Sequence, residues 1–253
     1  MLETANKEIL RHSTERHLLE GQLVRSVWLS PQTKHLEFRV RDVGDFPFIP
    51  GQFITIKQPR LDGKAHSRAY SIASAPRSDA AFDLCLNRVE DGFLSNWLCD
   101  LEPGASVQFH GPHGRFVLRG PPADSIFIAT GTGIAPIRSM VEWLFAEPER
   151  NRGHEYWLVF GTRYEHSIYY RDEFEAIARG NANFHYVPTL SRCSDTWAGC
   201  RGYVQDHVRA IVAGRNEMRA YICGLHQMVN ATRELLKQEL GWDGRQIIFE
   251  RYD

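Results

Sequence analysis

The amino-acid sequence predicts a two-domain β + α/β protein, an antiparallel barrel followed by a doubly wound parallel sheet. Three observations predict it. Six short strand-like runs, separated by Asp-Gly, Pro-Gly and Gly-Pro punctuation, lie between residues 21 and 110. From Ser125 onward strand-like runs alternate with helical periodicity, which means a parallel sheet with helices on both faces. Between these textures Arg119-Gly120-Pro121-Pro122-Ala123-Asp124 reads as a linker. The expected division is an N-terminal extension over 1–20, a barrel over 21–120 and an α/β domain over 121–253.

The barrel strands are expected at Gly21–Leu29, His35–Arg41, Gln52–Lys57, Arg68–Ala73, Phe82–Val89 and Ser106–His110, with one short helix at Phe93–Cys99. After the linker, Ser125–Thr130 is a continuous apolar run, as a strand covered on both faces requires. The next helix places Ile137, Val141, Leu144 and Phe145 on one stripe. Strands at Tyr156–Thr162, Phe184–Leu190, Tyr221–Cys223 and Gln246–Phe249 alternate with helices at Tyr169–Ala178 and Tyr203–Val212 and one carrying Val229, Leu236 and Leu240.

Composition narrows the function classes. The 253 residues suffice to bury a core without staples, and 43% hydrophobic with 24% charged residues excludes a disordered or fibrous chain. Thirty basic residues against 31 acidic argue against a uniformly basic nucleic-acid binder. Five cysteines, at 85, 99, 193, 200 and 223, have neither zinc nor iron–sulfur spacing and predict no disulfide framework. No run is long and apolar enough to span a bilayer, and the N-terminus has no apolar signal core, so the expectation is a cytoplasmic protein without a membrane partner. Ile9, Leu10, Leu18 and Leu19 suggest an N-terminal helix that packs on the body or on a partner.

Two segments carry chemistry. In Ala129-Thr130-Gly131-Thr132-Gly133-Ile134-Ala135-Pro136 the glycines let backbone approach a phosphate, and the following helix aims its N–H groups at that anion. Pro136 stands where a full dinucleotide fingerprint has its third glycine, so the turn alone also reads as a glycine-rich turn without a ligand. In Arg68-Ala69-Tyr70-Ser71-Ile72-Ala73-Ser74, alternation puts Arg68 and Tyr70 on one face and Ala69 and Ser71 on the other. A guanidinium beside a ring suits a phosphate and a flat heterocycle; an ordinary amphipathic strand is the rival reading.

Taken in order, these and four further segments resemble the ferredoxin–NADP reductase superfamily of flavoproteins, from about Gln22 to the C-terminus. Phe48-Ile49-Pro50-Gly51-Gln52-Phe53 is similar to its x-P-G-Q-[FY] strand entry, and Arg68-Ala69-Tyr70-Ser71 to its R-x-Y-[ST] flavin motif. Gly92-Phe93-Leu94-Ser95-Asn96-Trp97-Leu98 resembles its G-x-x-S-x-x-L pyrophosphate turn, and Gly111-Pro112-His113-Gly114 its G-P-x-G. Gly131–Pro136 matches G-T-G-I-A-P, and Tyr221-Ile222-Cys223-Gly224 with Met228 resembles Y-x-C-G-x-x-x-M.

The resemblance implies roles. Arg68 pairs with the FAD pyrophosphate, Tyr70 lies against the isoalloxazine, and Ser71 hydrogen-bonds near its N5. Gly92, Phe93, Leu94 and Ser95 serve the pyrophosphate, and Gly131, Thr132, Gly133 and Pro136 hold NADP or NAD. Cys223 and Gly224 flank the nicotinamide, although Cys223 is also readable as a small buried hydrophobe. Phe249-Glu250-Arg251-Tyr252-Asp253 resembles an E-x-[YF] ending whose ring covers the flavin, with Glu250 near hydride transfer; here Asp253 follows the aromatic residue.

Ser191-Arg192, after the third strand of the second domain, suits a 2′-phosphate, with Arg163 as a further contact or a solvated charge. The expected K-x-x-x-Y is missing, Arg201-Gly202-Tyr203 is its nearest substitute, and the reading favours NADPH while NADH stays open. The implied activity is hydride transfer between NAD(P)H and FAD, with single electrons passed to a separate iron–sulfur ferredoxin or flavodoxin that could feed an oxygenase. Lys57, Arg60, Lys64 and Arg68 are one place an acidic acceptor could dock, or a solvated hairpin. A reductase of diffusible flavin and a non-catalytic binding subunit are the alternatives.

Overall fold

The computed structural model describes residues 18–59, 63 and 65–252. Ile9 and Leu10 of the expected N-terminal helix, and the turn positions Arg60 and Lys64, lie outside the described residues, while Leu19, expected in the same helix, instead opens the first strand, paired with Phe109. The chain forms two compact units: one contains the chain up to Pro121 together with Arg138–Trp143, the other Pro122–Ile137 and everything from Leu144.

The first unit is one antiparallel sheet of six strands, β1 (Leu19–Ser30), β2 (Thr33–Val40), β3 (Phe53–Pro59), β4 (Ala65–Ser71), β5 (Ala81–Asn87) and β6 (Ser106–His113). Their order is β4-β3-β6-β1-β2-β5, and a bridge between Ile72 and Leu84 joins the two edges, closing the sheet into a barrel. The interior is aromatic: Phe82 lies 5.3 Å from Phe109 and 5.4 Å from Phe46, edge-on or tilted as ring quadrupoles prefer. One helix, α1 (Phe93–Asp100), covers the barrel with Leu94 and Leu98 buried. Asp83 is buried in this unit and accepts hydrogen bonds from Arg77 Nη2 at 2.6 Å and Arg138 Nη1 at 3.1 Å.

The second unit is a six-stranded parallel sheet in the order β10-β9-β8-β7-β11-β12. Its strands are β7 (Ser125–Thr130), β8 (Tyr156–Thr162), β9 (Phe184–Leu190), β10 (Cys200–Arg201), β11 (Arg219–Leu225) and β12 (Ile247–Tyr252). Nearly every residue of β7 and β8 is buried, as strands with helices on both faces must be. Its longer helices are α2 (Ile134–Phe145), α3 (Arg171–Gly180), α4 (Val204–Val212) and α5 (His226–Glu234). Helix α3 starts at Arg171 rather than at the expected Tyr169 because Tyr170 takes a left-handed φ of 58°. The strand order reverses between β7 and β11, and the crevice outside the carboxyl ends there is where doubly wound sheets bind ligands.

Among the described residues no helix is long and apolar enough to cross a membrane, and no group of three His, Cys, Asp or Glu side chains is placed to hold a metal ion.

Candidate functional site

The predicted site residues fall in both units, Arg68, Tyr70, Ser71 and Gly92–Ser95 in the first and the rest in the second. In the barrel, β4 is the outer strand, paired with β3 so that Ile54 faces Tyr70, Ile56 faces Arg68 and Phe53 faces Ser71. Arg68 is exposed, Tyr70 is half-buried against the barrel core and Ser71 is buried. Burial pushes the Tyr70 phenol up to about 12, with Arg68 pulling the other way, so it stays protonated at neutral pH. The strand thus presents a cation and a neutral ring side by side.

Helix α1 begins at Gly92 with no side chain capping it. Ser95 Oγ is turned into the loop, accepting from the Val89 N–H at 3.3 Å and donating to the Gly92 carbonyl at 3.2 Å. A Cβ on Gly92 would come within 2.5 Å of that hydroxyl, so only glycine lets the serine close this turn. The first-turn N–H groups of Phe93, Leu94 and Ser95 lie at the positive end of the helix dipole, the environment a phosphate needs.

In the second unit, Gly131–Gly133 form a single tight turn between β7 and α2, with Gly131 at φ 55°. A Cβ on Gly133 would sit 2.4 Å from the Cys223 carbonyl oxygen, and one on Gly224 would sit 2.3 Å from Thr130 Oγ1. These glycines therefore bring the turn and the end of β11 into backbone contact, and Pro136 lies in the first turn of α2. Cys223 is paired in register with Glu250 on one side and Ala129 on the other. Complete burial, and secondarily the Glu250 carboxylate, raises its thiol well above the ordinary cysteine range, while a hydrogen bond with Tyr252 opposes this. Tyr252 is the last residue of β12, opposite Leu225.

Ser191 and Arg192 continue the β8–β9 ladder, their N–H groups donating to the Thr162 and Arg163 carbonyls at 3.0 Å each. The Arg192 guanidinium hydrogen-bonds the Tyr164 side chain, and this contact raises its pKa further. Arg163, Tyr164, Ser191 and Arg192 are all exposed there, and His166 stacks on Tyr164 at 5.6 Å. Arg201 has a different role: its Nη2 donates to the Ser194, Asp195 and Trp197 carbonyls at 3.3, 3.2 and 2.7 Å, bracing the loop that carries Arg192.

Models of two oxidoreductase domains match the chain: the FAD-binding domain over residues 20–118 and the NAD-binding domain over residues 127–234. Ferredoxin–NADP reductase B of Sorangium cellulosum is 44% identical over 241 residues, 92% of this chain and 97% of the relative. The chain belongs to the ferredoxin–NADP reductase superfamily. The reductase component of a Pseudomonas phenol 2-monooxygenase is 32% identical over 98% of this chain and 69% of its own length. Among solved structures, the Amycolatopsis cytochrome P450 reductase GcoB superposes with a TM-score of 0.81 at 26% identity, covering 93% of this chain and 69% of that one. A ferredoxin NADP+ reductase from Neisseria gonorrhoeae, at 21% identity and a TM-score of 0.79, has the same fold.

As a member of this superfamily the protein is an FAD- and NAD(P)-dependent oxidoreductase, and its residues fit both groups. The uncapped start of α1 and the exposed Arg68 of the same unit suit a pyrophosphate, and the Gly131–Gly133 turn, where an added Cβ on Gly133 would collide with the Cys223 carbonyl, suits a dinucleotide. Two contributors were not read from the sequence. Thr130 accepts the Leu225 N–H at 3.4 Å and lies against Gly224; a hydroxyl one residue before the glycine turn was its only signal. Tyr164 holds Arg192, and an aromatic residue directly after Arg163 at a strand end marked it.

Proposed function

We propose that this protein draws reducing equivalents from NADPH through a tightly held FAD and delivers them singly to a separate iron–sulfur ferredoxin or flavodoxin. The observation that carries the reading is, within the second unit, a glycine turn at Gly131–Gly133 in backbone contact with a sheet end where Cys223, Glu250 and Tyr252 converge; the uncapped Gly92 helix start of the first unit supports it. When bound, FAD would exchange a hydride with the nicotinamide at N5 and electrons one at a time with the acceptor.

The chain's own residues would bind and orient. Arg68 and the N–H groups of Phe93, Leu94 and Ser95 would hold the FAD diphosphate, with Gly92 permitting the turn. The neutral Tyr70 ring would pack on the flavin, and the Ser71 hydroxyl would donate near N5. Gly131, Thr132, Gly133, Pro136 and Gly224 would seat the nicotinamide dinucleotide. Cys223, kept protonated, would border the reacting carbon while Glu250 and Tyr252 close the sheet end against water. Arg192, Ser191 and Arg163 would recognise a 2′-phosphate, which favours NADPH. The proposed division is an extension over 1–20, an FAD domain over 21–120 and an NAD(P) domain over 121–253. Five cysteines, none joined in a disulfide, support a reducing, cytoplasmic setting.

The names of the two relatives above, a ferredoxin–NADP reductase and an oxygenase reductase component, support an electron-delivering role. The test is purification followed by steady-state NADPH oxidation with an added ferredoxin or flavodoxin. A yellow protein with one FAD per chain that reduces either carrier fulfils the reading. Colourless protein that turns over only with free FAD would make it a reductase of diffusible flavin instead.

A further inference from the structure

Phe249 on β12 carries two guanidinium groups. Arg233 Cζ lies 3.7 Å from the ring centroid and Arg251 Cζ 5.1 Å from it. Phe249 and Arg251 are two apart on β12 and so share a face, the one against which Arg233, in the last turn of α5, is stacked. Strand β12 ends its sheet, so the cluster stands at an open edge.

The neighbouring arginines are neutralised locally, Arg209 by Glu239 and Arg245 by Asp243, but among the described residues neither Arg233 nor Arg251 has a carboxylate partner. Burial, followed by repulsion from Arg251, pulls the Arg233 pKa below the ordinary arginine range. Among the described residues these two like charges have no carboxylate counter-ion, and an anion supplied from outside would relieve their repulsion. The surroundings are those of a protein contact: Leu225 is 58% exposed, Gly224 faces Arg251 across the ladder, and His226, Asn230 and Arg233 fall on one stripe of α5. Arginine and aromatic groups beside exposed apolar surface are what protein interfaces enrich.

We propose that the Arg233–Phe249–Arg251 edge docks a carboxylate-rich face of the protein that accepts this enzyme's electrons. The proposal rests on the electron-delivering reading above and adds where, and by what chemistry, the acceptor binds. The edge adjoins Tyr252 and Gly224, so a partner seated on it meets the sheet end that holds the proposed nicotinamide residues.

The test uses the FAD-loaded full-length protein and an acidic [2Fe–2S] ferredoxin as probe. Binding is measured by calorimetry and electron transfer by stopped flow after reduction with NADPH, at about 20 mM and about 300 mM salt, where screening differs several-fold in length. An Arg233→Glu/Arg251→Glu double variant should bind ferredoxin about tenfold more weakly at low salt, with the gap closing at high salt. Its flavin bleaching by NADPH and its reduction of menadione, an uncharged acceptor, should match wild type. The Arg233→Lys/Arg251→Lys variant should recover most of the binding. Equal ferredoxin affinity in wild type and the Glu variant would overturn the proposal and leave these arginines as guards of the sheet edge. So would a wild-type protein that NADPH bleaches but that binds no acidic ferredoxin at low salt. A wild type that NADPH does not bleach fails the underlying reading instead, and calorimetry, which needs no turnover, keeps the two failures apart.

Discussion

Cys223 and Glu250 face each other across the parallel ladder of β11 and β12, at the carboxyl end of the sheet, with the thiol completely buried. Burial opposes thiolate formation, and the Glu250 carboxylate beside the thiol adds to it. The residue is therefore built as a small neutral group at a fixed position and not as a nucleophile.

Alkylation follows that distinction. Iodoacetamide at pH 8 should label Cys193 and Cys200, which are partly exposed, and leave the buried Cys85, Cys99 and Cys223 unmodified in the native protein. Peptide mass spectrometry reads the outcome directly. Rapid labelling of Cys223 would mean that the sheet end opens far more than its packing implies.

Gly133→Ala should be more damaging than Gly131→Ala. The added methyl at 133 meets the Cys223 carbonyl at 2.4 Å, whereas at 131 it enters open space and costs only the left-handed backbone. The expected losses are about 1–3 kcal/mol for the first and about 1 kcal/mol for the second. Thermal melts compare them, and a parallel rise in KM for NAD(P)H in Gly133→Ala ties the turn to nucleotide binding.

Selectivity between the two nucleotides is assigned to Arg192. Arg192→Ala should raise KM for NADPH about tenfold or more while leaving KM for NADH within about twofold. Tyr164→Phe, which removes the hydroxyl that holds the guanidinium, should shift the same ratio in the same direction by less. Equal effects on both nucleotides would reassign the pair to general packing.

Acid stability should carry a signature of His35. Burial, opposed by Asp83 and reinforced by Arg138, Arg25 and Arg77, lowers its pKa from 6.5 to about 4. Between those values the unfolded chain binds a proton that the folded chain refuses, so stability falls as pH drops from about 6.5 toward 4, by up to about 3 kcal/mol. Urea unfolding across that range should flatten in His35→Gln.

Much of this was legible because local pattern and tertiary role agree. The apolar runs of β7 and β8 are buried on both faces; along Arg68–Ser71 exposure does not alternate, since Ala69 is exposed beside Arg68 while Tyr70 packs on the barrel core and Ser71 is buried. What escaped has no local signature. Strand β10 is two residues laddered to β9, too short for a periodic pattern, Tyr170 turns left-handed where periodicity suggested helix, and the sheet carries β12 on to Tyr252 beyond its apolar run. Arg201 belongs to the nearest substitute for the missing K-x-x-x-Y; its donation to three loop carbonyls depends on how residues 194–197 fold back, which no pattern encodes.

The central claim, hydride transfer from NAD(P)H to a bound flavin, is tested most directly by anaerobic stopped-flow absorbance of the purified protein mixed with NADPH and, separately, NADH. The account predicts rapid bleaching of the flavin bands, faster and at lower concentration with NADPH. A protein that retains FAD and is bleached by neither nucleotide would contradict it.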